Sequence, residues 1–306
     1  MKNRFAVLIA ALTLTATAAF AAEGNFERTL AVSAAPSLSV ATGSGYVHVY
    51  SGSDSQVHII GRVHVRPGLF GVLGGDADAR LRKILADPPI KQFGNTITIG
   101  ADRSDSSFFN NVSIDYEITT PSGTTLKAET GSGDLEIGGI EGTVTAETGS
   151  GEMKVDNIGA NARLETGSGS IHAINVHGAA TLQTGSGNLH LDLSGAGDVK
   201  AQTGSGSIRI GGVSGGLHAE AGSGNIEVAG NPTDEWRLES GSGSVAISVG
   251  GTAKFSLNAE TGSGSVHVDQ PLLSQGTLDR QHVVGTVNGG GPTIRVTTGS
   301  GNIEIR

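Results

Sequence analysis

A column of acidic and amide side chains recurs along the chain at a nearly constant spacing. A Glu or Gln returns every 18 to 21 residues, two positions before a Gly-Ser-Gly tripeptide: Glu129, Glu147, Glu165, Gln183, Gln202, Glu220, Glu239 and Glu260. Carboxylates stacked about 5 Å apart repel one another by about 1 kcal/mol or more per close pair. Bound cations, neighbouring Lys or Arg, or splaying into water would each relieve this repulsion.

Calcium is the cation that such a column suggests, because it prefers oxygen ligands. It needs about six to eight of them, however, and each repeat offers one carboxylate. Glu129, Glu147 and Glu165 are therefore weak cation candidates, and we favour the alternative of a solvated face.

Two histidines, His172 and His190, occupy equivalent positions in successive repeats and could reach a shared metal ion. Zinc sites need at least three protein ligands, and no third ligand is evident. Lys154 and Arg209 hold the same position in the flanking repeats, which disfavours a bound cation there. We expect neither a metal site nor a cofactor.

The tripeptide Gly-Ser-Gly resembles pieces of phosphate-binding loops. It occurs ten times, without the Lys-Ser/Thr and the following helix that such loops require. We therefore predict that these glycines turn corners by tolerating positive φ. The structural turn glycines are Gly131, Gly133, Gly149, Gly151, Gly167, Gly169, Gly185, Gly187, Gly204 and Gly206.

A catalytic site would be expected where the sequence departs from the repeat. Only residues 67–110, 231–235 and 270–282 break the pattern, and no Ser-His-Asp order or pair of acids stands out. Carbohydrate-active grooves favour exposed aromatic rings, and the single Trp, Trp236, lies at a position predicted to face the core. We predict that the protein is not an enzyme and assign no catalytic residue.

The elements that position these residues follow from the alternation around each tripeptide. Apolar residues occur two and four positions after it, as in Leu135 and Ile137, and a second alternation precedes it, as in Val144, Ala146 and Thr148. Each period therefore holds two short, half-buried strands joined by corners.

Two all-β architectures fit this pattern: a meander of hairpins, and a β-solenoid with about 18–19 residues per coil. We favour the solenoid, because each column keeps its chemical character along the whole chain. In that case the repeat at Gly299 is the last coil of the stack, and substitutions there should be milder than at Gly185.

The chain before the regular repeats predicts a different segment. Residues 40–66 contain one atypical repeat and a strand, and a short helix is predicted near 76–86, before Pro88-Pro89. We expect residues 22–120 to form an N-terminal capping β segment and residues 121–306 to form the repeat solenoid. The cap would cover an edge that otherwise invites association.

These repeats resemble a known family. Reiterated "TGSG" coils, "YEITTPSG" and "TVNGGGP" look like the putative-adhesin family of exported bacterial proteins, also called the toast-rack β-solenoid family. The resemblance covers roughly residues 30–306. It implies the solenoid fold and an adhesion role, and it carries no catalytic or binding residues.

Export is predicted by the first residues. Lys2 and Arg4 precede an apolar run from about Ala6 to Phe20, followed by a small-x-small site, so residues 1–21 are expected to be a cleaved signal peptide. No transmembrane anchor would remain after cleavage, and the absence of cysteine excludes a lipoprotein anchor. Removal of the two basic residues leaves 18 basic and 29 acidic side chains, a formal charge of −11 that disfavours nucleic acid.

The leading functional hypothesis is an exported, non-enzymatic scaffold or binding surface in the cell envelope, periplasmic or at the cell surface. Its partner would be a protein or a cell-surface glycan. Two alternatives stay open: an envelope-stress or signalling accessory domain that binds a protein by its flat faces, and a polysaccharide-active β-helix enzyme.

Overall fold

The computed structural model describes residues 22–52, 55–66, 75–100, 111–274 and 279–306. The expected signal peptide and parts of segment 67–110 lie outside these residues. The N-terminal elements are β1 (Ala22–Ala31), β2 (Ser37–Thr42), β3 (Val47–Ser51), β4 (Gln56–Val65), α1 (Gly75–Ala86), β5 (Ile90–Phe93), β6 (Thr96–Ile99) and β7 (Val112–Thr120).

Seven coils follow, each with one strand in each of two sheets. Their strands are β8 (Thr125–Thr130) and β9 (Leu135–Gly138), β10 (Val144–Thr148) and β11 (Met153–Ile158), β12 (Ala162–Ser168) and β13 (Ile171–Val176), β14 (Ala180–Ser186) and β15 (Leu189–Leu193), β16 (Val199–Ser205) and β17 (Ile208–Val213), β18 (Leu217–Ser223) and β19 (Ile226–Gly230), β20 (Trp236–Ser242) and β21 (Val245–Val249). The remaining strands are β22 (Phe255–Ser263), β23 (Val266–Val268), β24 (Leu272–Leu273), β25 (His282–Val287), β26 (Thr293–Ser300) and β27 (Ile303–Ile305).

The strands form two long sheets that face each other across one core. We call the 13-stranded sheet, β1-β4-β7-β3-β9-β11-β13-β15-β17-β19-β21-β27-β23, sheet A. We call the 14-stranded sheet, β24-β25-β22-β26-β20-β18-β16-β14-β12-β10-β8-β2-β6-β5, sheet B. Neighbouring coils pair in parallel and in register, for example Glu147 with Glu165. The β-solenoid prediction is confirmed and the hairpin meander is wrong.

The core consists of the side chains that the alternation predicts to face inward. Leu135, Ile137, Val144 and Ala146 are buried, and Trp236 is fully buried with its indole Nε1 donating to the carbonyl of Gly215 at 2.9 Å. Because one coil exposes both edges of its apolar layer, each coil depends on its neighbours for burial.

A ladder of buried hydroxyls ties each corner to the adjacent coil. The Thr184 hydroxyl, for example, donates to the carbonyl of Gly169 at 2.9 Å. Equivalent bonds join Thr130 to Gly45, Thr148 to Gly133, Thr166 to Gly151, Thr203 to Gly187, Ser240 to Gly224, Thr298 to Gly243 and Thr261 to Gly301. Ala221 occupies this column without a hydroxyl and is buried. A buried carbonyl without a partner costs about 1–3 kcal/mol, so the ladder contributes to corner stability.

The order of coils in space departs from the order in sequence at the C-terminal end. β26 pairs with both β20 and β22, and β27 pairs with both β21 and β23. The expectation that Gly299 lies in the last coil of the stack is therefore wrong. The outermost strands at this end are β23 and the short β24, and Val266 and Val268 are only partly buried.

At the N-terminal end the sheets change from parallel to antiparallel pairing. β4 pairs antiparallel with β1 and β7, and β5 pairs antiparallel with β6. The helix α1 packs against β1 and β4, with Leu81 and Ile84 buried. A Cβ on Gly24 of β1 would lie 2.8 Å from Leu85, so the helix sits close to the strand backbone. The atypical repeat of residues 37–51 stacks directly on β8 and β9.

Candidate binding faces

The outward faces of both sheets carry columns of equivalent side chains. Alternate residues of a strand point to opposite faces, and neighbouring strands lie about 4.8 Å apart. Because the pairing is in register, a side-chain type that recurs once per repeat becomes a straight ladder along the solenoid. The acidic column and the histidine pair that were predicted from the sequence therefore lie on the outer faces of the sheets.

The acidic column lies on the outer face of sheet B. Glu147 is in register between Glu129 and Glu165, as its spacing predicts. The column is interrupted near its end, because Thr297 of β26 lies between Glu239 and Glu260. A shallow groove of about 470 Å³ runs along Glu129, Glu147, Glu165 and Gln183.

Basic side chains on the same strands offset the charge of this column. The Lys127 Nζ lies 2.5 Å from Glu129 Oε1, and Arg163 and Arg237 form ion pairs with Glu165 and Glu239. The Gln202 amide donates to Glu220 Oε2 at 2.8 Å. Each basic residue precedes its carboxylate by two positions, so both side chains project from one face of one strand. Ion pairs with Lys or Arg thus offset part of the repulsion in this column, at Glu129, Glu165 and Glu239.

The histidine pair lies on the outer face of sheet A. The rings of His172 and His190 stack with centroids 4.6 Å apart and an interplanar angle of 20°. His190 Nε2 lies 3.1 Å from Asp192, and Lys154 and Arg209 flank the pair in register. Across the described ranges, no three His, Asp or Glu residues are arranged to hold a metal ion.

The turn glycines stand at the corners between the two sheets, but positive φ is not what most of them require. Among those named from the sequence, only Gly187 and Gly206 have φ in the left-handed region, 156° and 143°. What they share is close stacking: a Cβ on Gly149 would lie 2.3 Å from the carbonyl oxygen of Gly131. At Gly151 the distance would be 2.0 Å from Gly133. Their backbone is packed against the adjacent corner.

A cluster that sequence analysis missed lies on the outer face of sheet A near its N-terminal end. The rings of Tyr46 and His48 stack with centroids 4.3 Å apart. Arg62 Nη1 lies 2.9 Å from Glu117 Oε1, and it also donates to the Tyr46 hydroxyl. That hydroxyl donates to Glu117 at 3.3 Å, and His48 Nε2 lies 3.6 Å from Glu136.

Further charged groups extend this cluster toward β1. His64 lies between Asp115, at 3.2 Å, and Glu23, at 3.4 Å. Asp115 also accepts a hydrogen bond from the Tyr46 backbone amide at 3.1 Å. Burial raises the pKa of Tyr46 above its ordinary value, although the nearby Arg62 acts in the opposite direction. His48 and Glu136 occupy the same repeat position on adjacent strands. The residues from β1, β4 and β7 follow no repeat spacing, and they reach the cluster only through the order of strands in sheet A.

The family model for Toastrack DUF4097 matches residues 82–306, about three quarters of the chain. This chain belongs to the Toastrack DUF4097 family. The match agrees with the repeat-based resemblance and with the two-sheet solenoid. No curated protein is similar enough in sequence to match this Toastrack chain.

Eight chains of solved structures match this Toastrack chain. A putative adhesin from Bacteroides fragilis is 14% identical with a TM-score of 0.39, covering 92% of this chain and 97% of its own. A putative adhesin from Parabacteroides distasonis is 12% identical with a TM-score of 0.33, at 92% and 97% coverage. A putative lipid binding protein from the same species is 12% identical with a TM-score of 0.31, at 92% and 96% coverage. These values carry no inference about what this chain binds.

Among the described residues of this Toastrack protein, no helix has the length and apolar character needed to cross a membrane.

Proposed function

We propose that this Toastrack protein is an exported, non-enzymatic binding scaffold of the bacterial cell envelope, with an adhesin-like role. The observation that carries the proposal is the division of chemistry between interior and faces. The buried residues of the repeats are apolar side chains and hydrogen-bonded hydroxyls, whereas charged side chains form ladders on the two outer faces. A surface of this kind presents equivalent groups at fixed intervals along a rigid stack.

Rigidity supports a binding role because the ladder side chains are already ordered before a partner arrives. Binding surfaces gain affinity when less conformational entropy is lost on association. Pairing along each column, such as Gln202 with Glu220, orders outward side chains in this way. The family resemblance, which implies adhesion, points in the same direction.

The proposed scaffold is continuous along the chain and carries a cap at its N-terminal end. We propose that the mature chain begins after residue 21, that residues 22–120 form the cap, and that residues 121–306 form the repeat body. The packing of α1 against β1 and β4 supports the cap. Stacking of β2 and β3 on β8 and β9 supports its continuity with the repeat body.

Binding of the purified mature protein to isolated envelopes of the source bacterium tests the proposal. We expect saturable binding that excess unlabelled protein displaces. Envelopes treated with protease, and envelopes treated with periodate to oxidise glycans, identify the class of partner. An absence of saturable binding to untreated envelopes would contradict the proposed role.

A further inference from the structure

One aromatic ring on the outer face of sheet A has an arrangement that the charged ladders do not explain. Tyr50 is 40% exposed, and it lies beside Gly138 of the neighbouring strand β9. A Cβ added to Gly138 would lie 3.0 Å and 3.2 Å from the Cδ1 and Cε1 atoms of the ring. The ring therefore lies close to the bare Cα of this glycine, Thr119 of β7 is its in-register neighbour on the other side, and part of the ring stays exposed to solvent.

Two carboxylates lie beside the ring. Burial raises the pKa of Tyr50 above its ordinary value, and the nearby Glu136 carboxylate acts in the same direction. Asp156 approaches from the next strand, with its Oδ1 2.8 Å from the position of a Cβ on Gly138. We call Tyr50, Glu136 and Asp156 the Tyr50 platform.

The geometry points to a glycan site: we propose that the Tyr50 platform binds a pyranose ring of an uncharged oligosaccharide. The apolar face of the sugar would stack on the Tyr50 ring, and its hydroxyls would donate to the carboxylates of Glu136 and Asp156. Carboxylates are acceptors with about four lone-pair positions each, and an aromatic face provides an apolar contact of fixed geometry. This assignment rests on the proposed binding role. It names an uncharged oligosaccharide as the class of partner that this part of the surface binds.

The charges around the platform favour an uncharged ligand. Two carboxylates oppose anionic ligands such as nucleic acid. A cationic ligand is opposed by Lys154, which is in register with Glu136 and stands two residues from Asp156 on β11. A protein partner would require a broader apolar contact than this single ring provides.

The column through the platform continues in a way that suits an extended ligand. After Asp156, the in-register positions on β13 and β15 are Ile174 and Asp192, and Ile174 is 39% exposed. Apolar and acidic groups thus alternate from Tyr50 to Asp192 along one line of the sheet. An oligosaccharide lying along the solenoid would meet apolar contacts and hydroxyl acceptors in turn.

Titration calorimetry with cellotetraose, maltotetraose and the tetramer of N-acetylglucosamine tests the assignment on the mature protein. We expect at least one tetramer to bind, and Tyr50→Ala to weaken that binding about tenfold or more, as the loss of an aromatic contact would. Tyr50→Phe keeps the stacking ring and should lose much less. Phe93→Ala is the matched control, because Phe93 is 91% exposed on sheet B and should leave affinity unchanged.

Three results would overturn the assignment. One is that no tetramer binds at millimolar concentration, and another is that Tyr50→Ala binds as tightly as the unaltered protein. The third is binding of tetramethylammonium that depends on Tyr50, which would indicate a cation site instead. Melting temperatures of the variants show whether a loss of binding reflects unfolding.

Failure of this assignment is distinguishable from failure of the proposed role. If the unaltered protein and Tyr50→Ala bind envelopes equally, the binding role stands and the glycan site is wrong. If the unaltered protein shows no saturable envelope binding, the role itself fails whatever the calorimetry finds.

Discussion

At the scale of the residue, the corner glycines are explained by the distance between coils. From Gly131 onward, the first glycine of a corner lies so close to the adjacent corner that a side chain has no room, as at Gly149 against Gly131. Gly43 begins the column, and a Cβ there would meet nothing within 4 Å. Glycine is therefore required at position 149, where a Cβ has no room, and optional at position 43, although both residues begin the same motif.

Alanine at these two positions provides a matched comparison. Gly149→Ala should lower the free energy of unfolding by about 1–3 kcal/mol, because the added methyl group forces adjacent backbone apart. Gly43→Ala should change it by less than about 0.5 kcal/mol. Urea unfolding followed by circular dichroism measures both. Equal losses at Gly43 and Gly149 would show that conformational freedom, and not stacking distance, explains the glycines.

The hydroxyl ladder leads to a second comparison at this scale. Thr184→Val should lower stability by about 1–3 kcal/mol, because the Gly169 carbonyl loses its hydroxyl donor. Ala221→Thr should raise stability by up to about 1 kcal/mol, since the new hydroxyl can reach the Gly206 carbonyl as its neighbours reach theirs. Differential scanning calorimetry gives the two shifts. A destabilised Ala221→Thr would indicate that the corner has no space for the larger side chain.

At the scale of the element, the last two strands in the sequence, β26 and β27, lie inside their sheets and not at the edges. β27 has a parallel partner on each side, whereas β23 has one. Ile303 is fully buried, but Val266, at the equivalent place in the outer coil, is only partly buried. Burial at a given motif position therefore depends on where the coil lies in the stack.

Truncation of these side chains measures the difference. Ile303→Ala should cost about 2–5 kcal/mol, as much as Ile171→Ala in the middle of the stack, because both leave a cavity in a packed core. Val266→Ala should cost less than about 1 kcal/mol, because solvent already reaches that side chain. Chemical denaturation of the three variants tests this order. A mild effect at Ile303 would contradict the inserted position of β27.

The acidic column provides a prediction about a ligand. Three of its carboxylates pair with a Lys or Arg on their own strand, as Glu165 pairs with Arg163, and Glu220 lies 3.9 Å from His218. Adding millimolar calcium should therefore move the melting temperature by less than about one degree, whereas a ligand that binds the folded state would raise it. Scanning calorimetry with calcium and with magnesium as a control tests this. A calcium-specific rise would make Glu129, Glu147 and Glu165 cation ligands.

At the scale of the whole molecule, the protein is one long stack whose ends differ from its middle. The middle is parallel and repetitive, and both ends use antiparallel strands. The edge strands at the C-terminal end, β23 and β24, are only three and two residues long. Short edge strands limit pairing with other chains, which a protein with two long open sheets would otherwise risk.

Export concerns the whole molecule, and it can be tested at the N-terminus of the mature chain. Mature protein from the source bacterium should begin near Ala22 or Glu23, because the apolar run and the small-x-small site precede these residues. Mass spectrometry of the N-terminal peptide tests this. A chain that keeps Met1 in the cytoplasm would contradict it.

The sequence by itself determined the solenoid, the inward columns and the outward ladders. Each depends on a period of about 18 residues combined with strand alternation, and both are visible in a linear chain. Trp236 in the core and Glu129, Glu147 and Glu165 in one column follow from position alone, and the structure confirms these placements. Local spacing is sufficient wherever neighbouring coils are also neighbours in sequence.

Only the tertiary structure decided features in which distant segments meet. Insertion of β26 and β27 between earlier coils depends on pairing with strands on both sides, which a repeat motif common to every coil cannot specify. The contacts of Arg62 with Tyr46 and Glu117 arise because β4 and β7 come to lie beside β3. Long-range strand pairing joins residues that no spacing relates, and here it brought Arg62 and Glu117 to Tyr46.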